Sequence, residues 1–204
     1  MSNEHEGWSD TRDHGLAAVL FDLDGTLVDS DLAHGMAYKM AFAEVGISIS
    51  ESDFEPLSGL HFLEVIDRLS NGKLNFDPLE LHRSKTQHFQ QISTRFIRPL
   101  PLLGLAQLLK GRVPMALVTS ASDMTVEAVL STLGIEGLFE VVISGDKTSK
   151  HKPDPGPYLE ACRRLGLNPE SCIAFEDSEV GVLSARRAGI SVVGVRKPDS
   201  DLNR

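Results

Sequence analysis

The stretch AVLFDLDGTLVDS, Ala18 to Ser30, decides how this chain is read. It starts inside LAAVLF, Leu16 to Phe21, an unbroken apolar run of the kind that forms a strand buried on both faces. Asp22 and Asp24 follow directly, and Gly25 permits a tight turn. In extended backbone, residues i and i+2 face the same side, so both carboxylates can act on one ligand. One carboxylate can attack phosphorus while the other protonates the leaving oxygen. An Asp-x-Asp alone also describes a loop with two solvated acids. The buried strand before it and the helix-prone segment after it give the pair its meaning.

Outward from this stretch, short apolar runs alternate with helical periodicity. Further strand candidates are MALV (Met115 to Val118), VVI (Val141 to Ile143), IAF (Ile173 to Phe175) and VVGV (Val192 to Val195). Val126, Val129, Leu130 and Leu133 fall at i, i+3, i+4 and i+7, with Gly134 as a C-terminal cap. Tyr158, Ala161, Cys162 and Leu165 repeat that spacing before Gly166, and Gly189 ends a third helix. The alternation predicts an α/β fold, a doubly wound parallel sheet with helices on both faces.

Residues 30–97 break the rhythm and contain no convincing strand. Ala33, Met36, Ala37 and Met40 mark one helix ending near Gly46, and Phe62, Val65, Ile66 and Leu69 mark another ending near Gly72. A third is expected from Pro78 to about Phe96. The expected organisation is a flexible tail over residues 1–14, a core of residues 15–29 and 98–204, and a small helical subdomain of residues 30–97. Such an insertion would sit above the C-terminal edge of the sheet, where open α/β sheets bind ligands.

Composition narrows the function classes. A net charge of −9 and a pI near 5.2 favour neither nucleic acid nor an anionic membrane surface. A phosphate group would also be repelled by the whole, so a phosphate site needs local cations or a metal. Cys162 and Cys172 form neither a zinc cluster nor a CxxC pair; two buried reduced thiols suit a cytoplasmic protein. No run approaches a membrane span, and the polar N-terminus MSNEHEGWSDTRDHG lacks an apolar signal core.

DLDGT after a buried strand resembles the first motif of the haloacid dehalogenase superfamily, and the resemblance extends over residues 16–197. It implies a Rossmann-like core with a helical C1 cap, in the subfamily of phosphatases and β-phosphoglucomutase-like enzymes. By that resemblance Asp22 is the nucleophile and Asp24 the general acid/base. Dehalogenase members lack the second Asp, because halide leaves without a proton, so Asp24 argues for phosphoryl transfer. Thr119, ending MALVT, matches the second motif and would donate to a phosphoryl oxygen, with Ser120 beside it as a substrate-binding candidate. Lys152, in HKPDPGPYLEA, matches the third and would stabilise transition-state charge, while Lys147, Lys150 and His151 read as solvated loop residues. Glu176 and Asp177, in IAFEDSEVGVLSARRAG, match the fourth. The implied ligand set for Mg²⁺ is Asp22, Asp24 through its carbonyl, and Asp177, with Glu176 acting through water. Ser178 fits as a helix N-cap.

Within the insertion, Asp29, Ser30 and His34 resemble the DS-x-x-x-H pattern of sugar-phosphate members, which puts His34 near the leaving group. SGLHF, Ser58 to Phe62, resembles the cap's specificity loop; mutase relatives carry an Arg where Phe62 stands. Lys85 is a further candidate to reach inward. Two features depart from the family: Pro101 is followed by Leu102 rather than Gly, and the sequence ends soon after VVGVRKP, so a shorter or partner-covered sheet edge is expected. The expected function is a Mg²⁺-dependent phosphatase of a small phosphorylated metabolite, a monomer or at most a dimer, with a phosphosugar mutase as the alternative. A receiver-type signalling domain is disfavoured, since there the acidic pair precedes the acceptor Asp.

Overall fold

The structure, a computed structural model, describes residues 16–50, 53, 57, 60–71 and 75–196. The expected tail over residues 1–14, the Ser58–Gly59 part of the SGLHF loop, the helix end at Gly72 and the chain after Arg196 lie outside the described residues. Five parallel strands form the sheet: β1 (Ala18–Phe21), β4 (Met115–Val118), β5 (Val141–Ile143), β6 (Cys172–Glu176) and β7 (Ser191–Gly194). Their order is β5-β4-β1-β6-β7, every pairing parallel. The chain winds outward from β1 to one side and then returns to the other. β1 is therefore the switch point, and a crevice opens at its C-terminal end.

Alternation along β1 divides the core. Val19 and Phe21 join Met115 and Leu117 on one face, under α4 (Pro101–Leu109) and α5 (Asp123–Leu133). Ala18 and Leu20 join Ala116 and Val118 on the other, under α6 (Gly156–Leu165) and α7 (Glu179–Arg187). The doubly wound sheet expected from the apolar runs is thus present, with helices on both faces. Cys162 and Cys172 are free and buried, their sulfurs 4.0 Å apart.

Among the described residues, three helices lie between β1 and β4: α1 (Asp31–Glu44), α2 (Phe62–Ser70) and α3 (Pro78–Phe96). α2 ends on Asn71, whose φ of 52° is the left-handed conformation Asn tolerates. Tyr38, Phe42, Ile66 and Leu81 form a small core of this segment's own. Ala33, Ala37 and Phe89 instead join the core beneath α5. α1 therefore buries two faces, which explains why the stripe expected through Met40 is wrong at that residue: Met40 is 37% exposed, while Tyr38 and Phe42 are buried.

Two short strands that no apolar run indicates, β2 (Val28–Asp29) and β3 (Arg98–Pro99), pair antiparallel and tie the two connections to the helical segment together. A two-residue strand has no periodicity to read.

Candidate active site

The turn after β1 is closed by backbone bonds from Gly25 N–H to the Val28 carbonyl (2.7 Å) and from Leu27 N–H to the Leu23 carbonyl (2.9 Å). Gly25 has φ 84°, a conformation costly for any residue with a Cβ. The turn directs Asp22 and Asp24 into one pocket with Thr119, Ser120, His34, Phe62 and Lys85. The residues drawn from the first two motifs and from the helical segment thus converge.

Asp22 lies at the floor. The Lys152 ammonium donates to Asp22 Oδ1 (2.7 Å), Glu176 Oε1 (2.5 Å) and the Val118 carbonyl (2.9 Å). Glu176 is fully buried; it also accepts from Tyr158 Oη at 2.6 Å and Ser178 Oγ at 3.3 Å. Burial lowers the proton affinity of Lys152, but the charges of Asp22 and Glu176 and their hydrogen bonds outweigh it and hold it above the ordinary lysine range. Burial, then the Glu176 charge, pushes the Asp22 carboxyl well above its usual range; Lys152 opposes this and Asp177 adds to it.

Oxygens of Asp22, Glu176 and Asp177 lie within 4.8 Å of one another. Three buried or half-buried carboxylates face one lysine, an excess of negative charge that a divalent cation would balance. The donors are hard oxygens, the set that Mg²⁺-like ions take. The residues fit such an ion.

Asp24 is held separately. Ser30 Oγ donates to Asp24 Oδ1, and His34 Nε2 lies 3.2 Å from the same oxygen. Lys85 Nζ is 2.8 Å from His34 Nδ1. An ammonium can only donate, so His34 Nδ1 accepts and its Nε2–H donates to Asp24. Burial would raise the Asp24 carboxyl, but His34, Ser30 and the Lys85 charge hold it at about 2. Lys85 is itself buried, with its ammonium 5.0 Å from the Tyr38 and Phe89 ring centres; burial brings it down to about 8 against the pull of Asp24. Burial and the Lys85 charge also lower His34, consistent with a neutral ring.

Thr119 Oγ1 accepts from Ala121 N–H at 3.1 Å, which leaves its own proton to donate. Ser178 caps α7 by accepting from Gly181 N–H at 3.2 Å, as the sequence indicated. The three residues read as solvated all have partners, Lys150 pairing with Asp154 at 3.4 Å. Lys147 pairs with Asp123 at 2.9 Å, and His151 stacks on His61 at 3.7 Å between ring centres.

Sequence reasoning missed Tyr158, which looked like one more apolar helix position, and Gly181. A Cβ on Gly181 would lie 2.0 Å from Glu176 Oε2, so the first turn of α7 fixes where Glu176 sits. Gly181→Ala should displace Glu176, lower stability by about 1–3 kcal/mol and reduce turnover through Lys152. Thermal melting and phosphate release measure both effects. An unchanged melting temperature together with unchanged turnover would show that α7 does not set the Glu176 position.

A family model described as haloacid dehalogenase-like hydrolase matches residues 19–195. Fructose-1-phosphate phosphatase YqaB of Escherichia coli (strain K12) is 31% identical over 181 residues, 88% of this chain and 96% of that protein. Beta-phosphoglucomutase of Bacillus subtilis (strain 168) is 28% identical over 190 residues, 88% of this chain and 83% of that protein. Among solved structures, CbbY from Rhodobacter sphaeroides in complex with phosphate superposes with a TM-score of 0.82 at 28% identity, covering 90% of this chain and 87% of that one.

Proposed function

We propose, from the premise that this chain belongs to the haloacid dehalogenase-like hydrolase family, that it is a Mg²⁺-dependent phosphatase acting through an aspartyl phosphate on Asp22. The substrate class is a small sugar or polyol phosphate, as the name of the fructose-1-phosphate phosphatase suggests. The observation that carries the reading is the Asp22–Lys152–Glu176 arrangement beside Asp177, with Asp24 held separately in the same pocket.

In this mechanism Asp22 attacks phosphorus and the bond to the leaving oxygen breaks. Asp24 gives that oxygen a proton, then takes one from the water that hydrolyses the aspartyl phosphate. In the ligand-free pocket Ser30 and His34 keep Asp24 ionised. An arriving phosphate dianion raises its proton affinity by like-charge repulsion, so that Asp24 takes up from solvent the proton it then gives to the leaving oxygen. Thr119 donates its hydroxyl proton to a phosphoryl oxygen, and Ser120 lines the same wall. Lys152 opposes the charge that builds on phosphorus, and Glu176 with Tyr158 positions Lys152. Asp22, Asp177 and the Asp24 carbonyl would hold Mg²⁺. When bound, the cation supplies electrophilic stabilisation of the phosphoryl oxygens and screens them from Asp22.

Residues 30–97 serve as a cap over the pocket, tied to the core by the β2–β3 ribbon. Phe62, where mutases of the resembled subfamily carry an Arg, stacks on His82 at 3.8 Å, and the pocket lining includes no arginine among the described residues. That favours hydrolysis over mutase chemistry, which must grip a second phosphate. We place the protein in the cytoplasm on its two free buried thiols.

The test is phosphate release from a panel of sugar, polyol and two-carbon acid phosphates with Mg²⁺, with and without EDTA. Release that EDTA abolishes is expected. Interconversion of phosphosugar isomers primed by a bisphosphorylated sugar, faster than release, would replace the phosphatase with the mutase. No turnover of any compound would sink both.

A further inference from the structure

The wall that the helical segment presents to the pocket includes the apolar Leu60, Phe62 and Val65 and the polar His34, His82 and Lys85. His34 and Lys85 hold each other and Asp24. His82 differs from both. Its ring lines the pocket, yet its Nδ1 and Nε2 are both buried and neither has a hydrogen-bond partner. Buried polar atoms are nearly always paired, and an unpaired one costs free energy. Nothing in the fold compels this residue: the Phe62 ring lies flat on His82, 3.8 Å away and 16° from parallel, and that stack asks only for a flat ring. A phenylalanine would serve the packing without the two orphaned nitrogens.

We propose that His82 is a specificity-determining residue whose imidazole binds a hydroxyl of the substrate beyond its phosphate, so that the pocket selects a hydroxylated leaving group over an apolar one. The inference rests on the phosphatase reading and adds to it the chemistry of the distal wall. A neutral imidazole offers one N–H donor and one acceptor nitrogen, and a hydroxyl offers the same pair in return. Burial, followed by the Lys85 charge, brings this ring down to about 3, so it is neutral near pH 7. A neutral ring gives a second phosphate one donor and no charge, which again disfavours bisphosphates. A half-turn of the ring about its Cβ–Cγ bond exchanges each nitrogen with a ring carbon while keeping the ring flat on Phe62. His82 lies three residues before Lys85 on α3, so both face the same wall. The fold therefore sets a hydroxyl reader beside the residues that steady the general acid.

The experiment compares wild type, His82→Phe and His82→Gln with Mg²⁺. Two probes are used: p-nitrophenyl phosphate, whose leaving group carries no hydroxyl beyond the ester oxygen, and the better of fructose 1-phosphate and sorbitol 6-phosphate. In His82→Phe the ratio of kcat/KM for the sugar phosphate to that for p-nitrophenyl phosphate should fall about tenfold, mainly through KM. His82→Gln, which restores a donor and an acceptor, should recover most of it. An active wild type whose ratio is unchanged in His82→Phe overturns the inference. So does an equal loss on both probes, the mark of a purely structural role, and so does a wild type active on p-nitrophenyl phosphate alone. A wild type that releases phosphate from none of the three overturns the phosphatase reading and this inference together.

Discussion

Asp22→Asn should reduce kcat by at least about 10⁴-fold while leaving the fold intact. The amide is nearly isosteric but cannot form the acyl phosphate, and no other carboxylate occupies its place at the end of β1. Asp177 and Glu176 are within 4.8 Å, yet Glu176 is held by Lys152, Tyr158 and Ser178. The substitution also removes one of three crowded carboxylates, so the metal-free variant should melt no lower than the metal-free wild type. Mg²⁺ should raise the melting temperature of the wild type more than that of the variant, because an amide oxygen is a weaker ligand for a hard cation. Single-turnover phosphate release and thermal melting with and without Mg²⁺ test both halves. Substantial Mg²⁺-dependent turnover in Asp22→Asn would sink the nucleophile assignment.

Lys152→Met should damage stability and catalysis together. The Lys152 side chain is 2% exposed and bonds to Asp22, Glu176 and the Val118 carbonyl. Methionine matches its length and fills the slot, so the loss is one of charge rather than volume. Glu176 would be left buried with only hydroxyl donors, and Asp22 without its cation. Breaking a buried pair by removing one partner costs about 3–5 kcal/mol, which chemical denaturation would measure. Activity should fall by at least about 10²-fold, since among the described residues Lys152 is the cationic side chain paired with Asp22. A variant that keeps the wild-type unfolding free energy would show that the three-way contact does not contribute to the fold. One that keeps wild-type kcat would remove Lys152 from the catalytic set.

These expectations draw on two kinds of information. The sheet was legible because its strands are short apolar runs closed by functional residues: LAAVLF before Asp22, MALV before Thr119, IAF before Glu176 and Asp177. Such runs are read locally, and helix ends at Gly134 and Gly166 carry their own backbone signature, with φ of 65° and 71°. The β2–β3 ribbon was not legible, because a two-residue pairing joins segments far apart in sequence. Nor was the second buried face of α1, where Tyr38 and Phe42 serve a core to which α2 and α3 contribute Ile66 and Leu81.

At the site the division is the same. The sequence by itself singled out Asp22, Asp24, Thr119, Lys152, Glu176 and Asp177 as candidates, through the buried apolar runs that precede most of them and the family motifs they resemble. It also pointed to His34, Phe62 and Lys85 without saying what they touch. Only the tertiary structure decided the partnerships: Lys152 bridging Asp22 and Glu176, Tyr158 beneath Glu176, Gly181 against its carboxylate, and the His34–Lys85 pair steadying Asp24. Only there does His82 stand out among the described histidines, by having both ring nitrogens buried without a hydrogen-bond partner. The physical reason is range. Backbone conformation and the apolar character of a strand are set by neighbours in sequence, whereas hydrogen bonding and charge balance in a buried pocket are set by side chains brought together from as far as 130 residues apart.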